Sequence, residues 1–141
     1  MDFAQYKPNT IRRRILRRMA LRRIDNLDAY VAKLRSDSGE LKALYEDILI
    51  NVTEFFRDPE AFEALRKMVF PKLISIRETG APIRIWVPGC SSGEEVYSIA
   101  IALLEFLEEK NQDIGMQIFG TDISEIALEK ARNGIYSPSS I

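Results

Sequence analysis

The sequence contains no histidine and a single cysteine, Cys90. The first absence argues against a zinc centre and against a histidine-based catalytic triad, and one cysteine cannot form an internal disulfide. No apolar run approaches the ~20 residues needed to span a bilayer, and the opening MDFAQYKPNTIRRRIL lacks the apolar core of a signal peptide. Cytoplasmic residence without membrane insertion is the resulting expectation. What is present is a chain of 141 residues, 46% of them hydrophobic, enough to build one ordinary domain or two small ones.

The net charge of −1 conceals an uneven distribution. Residues 1–35 carry ten basic side chains against three acidic ones, a local charge of +7 that leaves −8 for the rest. A basic face that meets an acidic partner is one reading of this split, and a solvated surface is the other. Arg13, Arg17 and Arg18 lie at its centre. Nucleic acid is the rival partner, but no helix-turn-helix and no aromatic stacking platform accompanies the arginines.

Residues 10–50 read as three short helices. Thr10 is the expected N-cap of the first, with Ile11, Ile15, Leu16 and Met19 on one stripe. Asn26 opens the second, with Leu27, Tyr30, Val31 and Leu34 inward, and SDSG at 36–39 forms a turn before a third helix from Glu40. Asp58 and Pro59 supply an N-cap and a first helical residue for a helix that should end near Pro71, with FPKLISIRE as a second helical piece. RETGAP at 77–82 is a loop. Thereafter IRIWV (83–87) reads as a strand, a helix runs from about Gly93 to Glu109, MQIFGTD is a second strand, and a last helix begins at Ser124. The order β–α–β–α implies a parallel sheet with right-handed crossovers. Only about half of a doubly wound sheet is represented, so the chain reads as a fragment whose exposed sheet edge invites self-association.

The turn between the first strand and its helix reads GCSSGEE, and such a strand, glycine turn and helix normally receive an anion. Here, however, Glu94 and Glu95 stand where a phosphate loop would have lysine and a hydroxyl. Carboxylates at that mouth repel pyrophosphate and welcome a cation. S-adenosylmethionine combines a ribose and an adenine with a positive sulfonium and amino group, and Asp122 at the end of the second strand is placed to take ribose hydroxyls. The bland alternatives remain open at this point: Gly89 and Gly93 as packing glycines, Glu94 as a dipole partner, Arg57 in a salt bridge with Asp58 or Glu54, and Phe55 and Phe56 as core residues.

The segments YKPNTIRRRILRRM, NVTEFFRDPEAF, IWVPGCSSGEEVYSIAI and FGTDISEIALEKARNGIY together resemble the chemotaxis receptor glutamate O-methyltransferase family, CheR. The resemblance implies an all-α N-terminal domain (about 1–50), a connecting segment (51–82), and the first half of an α/β Rossmann-like methyltransferase domain (83–141) that binds S-adenosylmethionine, with S-adenosylhomocysteine as product. It places cofactor contacts on Asn51, Thr53, Arg57, Glu95 and Asp122 and makes Arg57 the residue that orients the acceptor; Gly89 of the turn is the further expected contact, and no metal is expected. The implied substrate is a glutamate side chain on a chemoreceptor cytoplasmic helix, docked on the arginine face. Later family segments, including an active-site tyrosine and a small β-subdomain, have no counterpart in these residues. A cofactor- or receptor-binding module without turnover is therefore the alternative reading.

Overall fold

A computed structural model describes residues 6–49 and 53–138, in two units, Met1–Ile50 and Asn51–Ile141. The first unit is helical: α1 (Pro8–Arg22), α2 (Leu27–Ser36) and α3 (Ser38–Ile48). Helix α1 begins before Thr10, because Pro8 occupies its first turn, where a missing N–H costs nothing. Asn26 caps α2 as expected, its side chain accepting from the amides of Asp28 and Ala29. The SDSG turn contracts to one residue: Asp37 donates its amide to the Lys33 carbonyl, closing α2, while its carboxylate accepts from the Glu40 amide, opening α3.

The core of this unit is Met19, Tyr30, Leu44 and Ile48, with Ile11, Ile15 and Leu34 packed against it. Leu16, Leu27 and Val31 were expected inside and are exposed. Leu16 and Leu27 line a groove of 580 Å³ with Ile11, Ile15 and Met19. What takes an interior position instead is a charge. Glu40, fully buried, accepts from Arg18 Nε at 2.9 Å and Nη2 at 2.6 Å, from Arg22 Nε, and from the Tyr30 hydroxyl at 2.9 Å. One carboxylate thereby joins all three helices. The arrangement holds Glu40 down at about 2, chiefly through the Arg18 hydrogen bonds, while burial pushes Tyr30 up to about 12.

In the second unit Pro59 starts α4 (Pro59–Ala64), although the Asp58 side chain makes no capping hydrogen bond. The helix does not end near Pro71. It continues through a π-helical turn, Leu65–Val69, into α5 (Phe70–Ile76). Proline lacks the amide for an α-helical bond and its ring crowds the carbonyl four residues back; widening one turn relieves both. The Phe70 amide accordingly reaches the Leu65 carbonyl, five residues away, and Pro71 falls in the first turn of α5.

Strand β1 (Ile83–Pro88) leads through the glycine turn to α6 (Glu94–Glu109), then β2 (Met116–Thr121) and α7 (Glu125–Asn133). β1 and β2 pair in parallel, with Ile83 opposite Met116 and Trp86 opposite Phe119. Ile83 and Val87 face the core, whereas Trp86 and Phe119 lie exposed on the other side of the sheet. Leu103 and Leu107 of α6 are buried as its periodicity implies, joined by Ala102 and Phe106, because the helix packs against the π turn as well as against β2. Phe70, Ile83 and Ile114 complete this core. Arg66 ties the π turn to α6 through Glu109, 2.6 Å away.

Candidate functional site

The glycine turn is fixed residue by residue. The Cys90 amide donates to the Thr121 carbonyl at 3.0 Å, continuing the strand pairing into the turn, and the Gly93 amide closes it onto the Cys90 carbonyl at 2.9 Å. Ser91 stands in the left-handed region at φ 48°, and its amide donates to Asp122 Oδ2 at 2.8 Å. The other oxygen of Asp122 accepts from the Ser124 amide at 2.8 Å. Asp122 is thus held at the carboxyl end of β2 against the turn after β1, with further lone pairs on both oxygens. Ser124 also caps α7, accepting from the Ala127 amide at 3.3 Å.

The two glycines have different reasons for being glycine. At Gly93, φ is 96° and a Cβ would lie 2.8 Å from both the Ala131 Cβ and the Tyr136 hydroxyl, so this residue lets α7 and the segment after it close on the turn. At Gly89, φ is 68° and a Cβ would meet nothing within 4 Å. Gly89 therefore borders open space, as a residue approached by a ligand must.

The two glutamates also diverge. Glu94 turns inward, only 4% exposed, and accepts from Ser92 Oγ at 2.7 Å and Lys130 Nζ at 3.3 Å. Glu95 is exposed. Tyr136 donates to the Ser92 carbonyl at 2.6 Å, and burial, reinforced by the Glu94 charge, raises its phenol to about 12 so that it stays a donor. Its ring meets Phe55 at 5.0 Å and Tyr97 at 5.6 Å, edge to face. Cys90 is buried and its thiol pKa is raised, first by burial and then by Asp122, so it is neither thiolate nor nucleophile at neutral pH.

The segment before α4 is brought to the same place. Phe56 adopts a left-handed conformation at φ 49°, and its amide donates to Ser98 Oγ at 3.0 Å; that hydroxyl in turn donates to the Glu94 carbonyl at 2.7 Å. Phe55 and Phe56 act as packing residues, against Tyr136 and Phe62 respectively. Thr53 is half-buried and Arg57 exposed on this loop, while Asn51 lies outside the described residues. Thr53, Arg57, Gly89, Glu95 and Asp122 all belong to this unit. Sequence reasoning missed Ser98, Ser92 and Lys130. A serine between apolar helix positions was the available signal for Ser98; Lys130, distant in sequence, gave none.

In the first unit Arg13 and Arg17 are exposed, Arg17 with only a long contact to Asp47 at 3.8 Å. Arg18 is different. Its side chain is 13% exposed and spent on Glu40, so it is an internal strut and leaves the docking face that was expected to include it.

A parallel β–α–β–α unit with a glycine turn after its first strand and an acid at the end of its second defines a Rossmann-like domain. The chain belongs to the CheR methyltransferase family: residues 51–141 match its S-adenosylmethionine-binding domain and residues 1–49 its all-α domain. It is similar to a 104.1 kDa protein of Rhodobacter capsulatus, 36% identical over 97% of this chain and 14% of that one. It is likewise similar to a Pseudomonas putida protein bearing the methyltransferase name Cher3, at 41% identity over 99% of this chain and 48% of the relative. A chemotaxis protein methyltransferase of Borreliella burgdorferi is 34% identical, over 96% of this chain and 50% of that protein. The chain spans about half the length, or less, of these curated relatives. S-adenosylmethionine is thus the cofactor for which this domain is built. The open space at Gly89, the anchored Asp122 and the exposed Glu95 fit that group.

Proposed function

We propose that the protein contributes to S-adenosylmethionine-dependent methylation of glutamate carboxylates on chemoreceptor cytoplasmic helices, acting in the cytoplasm. The observation that carries this reading is the junction of Asp122 with the glycine turn: a carboxylate held by the Ser91 and Ser124 amides beside a glycine that borders open space. Asp122 would hold the ribose hydroxyls and Glu95 would face the cationic amino acid end. Thr53, Arg57 and Asn51 would supply further contacts to the cofactor. The cofactor, when bound, supplies an electrophilic methyl group on a sulfonium.

The residues have little proton chemistry to perform. A glutamate acceptor with a pKa near ~4.3 is already ionised at neutral pH, so no general base is needed and the lack of histidine is no obstacle. Alignment and exclusion of water are what the protein must provide. Arg57 would orient the acceptor, since a guanidinium offers a carboxylate two parallel donors. Arg13 and Arg17 would meet the acidic receptor helix.

A second reading is a binding module without turnover. Calorimetric titration of the 141-residue chain with S-adenosylhomocysteine tests the cofactor site common to both. Micromolar binding lost in Asp122→Ala supports it, and preferential binding of ATP sinks it. Methyl transfer to a receptor fragment then separates enzyme from binding module.

A further inference from the structure

We propose that Glu94 and Lys130 form a positioning latch that fixes the glycine turn against α7 and so sets the separation of the two acids expected to hold the ends of the cofactor, Asp122 and Glu95. The inference rests on the cofactor reading and assigns work to the acid that reading leaves unused.

Four contacts link Ser92, Glu94, Lys130 and Tyr136 in a ring. Ser92 is held at its side chain by Glu94 Oε2, 2.7 Å away, and at its carbonyl by the Tyr136 hydroxyl, 2.6 Å away. Glu94 receives Lys130 from the middle of α7 at 3.3 Å, and the Lys130 ammonium lies 5.5 Å from the centre of the Tyr136 ring. Gly93, between Ser92 and Glu94, has no room for a side chain because Ala131 of the same helix presses on it. The helix that presses there begins two residues after Asp122 at its cap, Ser124. The turn leads into Glu95 one residue after Glu94. The latch thus adjoins Glu95 along the chain and bears on the helix that follows Asp122, while its hydrogen bonds fall on neither of those two side chains.

A carboxylate suits this position better than a neutral acceptor. It takes the Ser92 hydroxyl on one oxygen and the Lys130 ammonium on the other, and it lies in the first turn of α6, where the helix dipole favours negative charge. Hydrogen bonds involving ionised partners are shorter and stronger than neutral ones, so the turn is held more tightly than backbone bonding alone would manage. An alternating inward and outward pair of glutamates then divides the labour: Glu94 organises and Glu95 recognises.

Two measurements on the 141-residue chain test this. Amide exchange followed by NMR without ligand should show the Ser91 and Gly93 amides exchanging roughly tenfold faster in Glu94→Gln, with the Leu103 and Phe106 amides unchanged. Titration should show affinity for S-adenosylhomocysteine falling roughly tenfold in Glu94→Gln and Lys130→Met, with Lys130→Arg restoring it, while affinity for adenosine, which lacks the amino acid end, stays the same. Unchanged turn amides overturn the latch. Equal loss for both ligands, with faster exchange throughout α6, also overturns it by showing a general structural role. If the unsubstituted chain binds neither ligand, the cofactor reading falls and takes the latch's positioning role with it, even where the exchange result shows that Glu94 stiffens the turn.

Discussion

At the residue scale, the two glycines of one turn predict opposite consequences for the same substitution. Gly93→Ala puts a methyl group 2.8 Å from the Ala131 Cβ and from the Tyr136 hydroxyl at a φ of 96°, so overpacking adds to backbone strain. A loss of about 2–4 kcal/mol is expected in chemical denaturation. Gly89→Ala meets no neighbour and bears only the left-handed strain of φ 68°, about 1 kcal/mol, yet its methyl group enters the open space assigned to the cofactor. Equal destabilisation by the two would show that Gly93 is not a packing site. The sequence foretold that both glycines belong to a turn, since GCSSGEE lies between a strand and a helix. It could not say which one serves packing, because Ala131 and Tyr136 are brought there by the fold. Nor could it separate Glu94 from Glu95. Adjacent acids at a helix start differ by one step of rotation, and the inward one is known only once Lys130 is seen beside it.

At the element scale, the first unit depends on one buried charge. Three short helices are marginal alone, and Glu40 joins them through Arg18, Arg22 and Tyr30. Its folded pKa is depressed from 4.5 to about 2, so its contribution is complete above about pH 4.5 and is lost as pH falls towards 2. That contribution is on the order of 3 kcal/mol, a large part of the stability available to a unit of this size. Asp37, also lowered to about 2 by Lys33 and the backbone at the start of α3, weakens in the same window. Far-UV circular dichroism during acid titration should show the helical unit melting in that range, and Glu40→Gln should abolish the steep part of the dependence while lowering stability at neutral pH. An acid profile identical in Glu40→Gln would remove Glu40 from this role. The elements themselves were largely legible: the parallel strands, α6, and the caps at Asn26 and Ser124 follow from alternation, periodicity and side-chain chemistry. Two features were not. The π turn resolves a conflict between a helical pattern and Pro71 that sequence reasoning settles by ending the helix, and the Glu40 cluster places a charge where periodicity expects an exposed one.

At the scale of the whole molecule, the +7 of residues 1–35 is smaller in effect than it looks, because part of it is spent internally. Arg18 and Arg22 neutralise Glu40, and Lys33 pairs with Asp37 at 2.8 Å. Arg13 and Arg17 remain exposed one helical turn apart on α1, and so share a face that an acidic helix could approach. Attraction between such surfaces acts mainly on the rate of encounter and weakens as salt shortens its range, about 10 Å at 0.1 M. Reversing both, Arg13→Glu with Arg17→Glu, is therefore expected to slow association with a chemoreceptor cytoplasmic fragment by about tenfold or more at low salt, with the difference shrinking as salt is raised. Binding of S-adenosylhomocysteine should be unaffected, since neither arginine is among the residues proposed to hold the cofactor. Arg18→Glu does not serve as the same test, because a second carboxylate beside Glu40 would break the helical unit instead of its surface. Stopped-flow association across a salt series decides the matter: equal rates for the reversed and unsubstituted chains at low salt would take the receptor off this face.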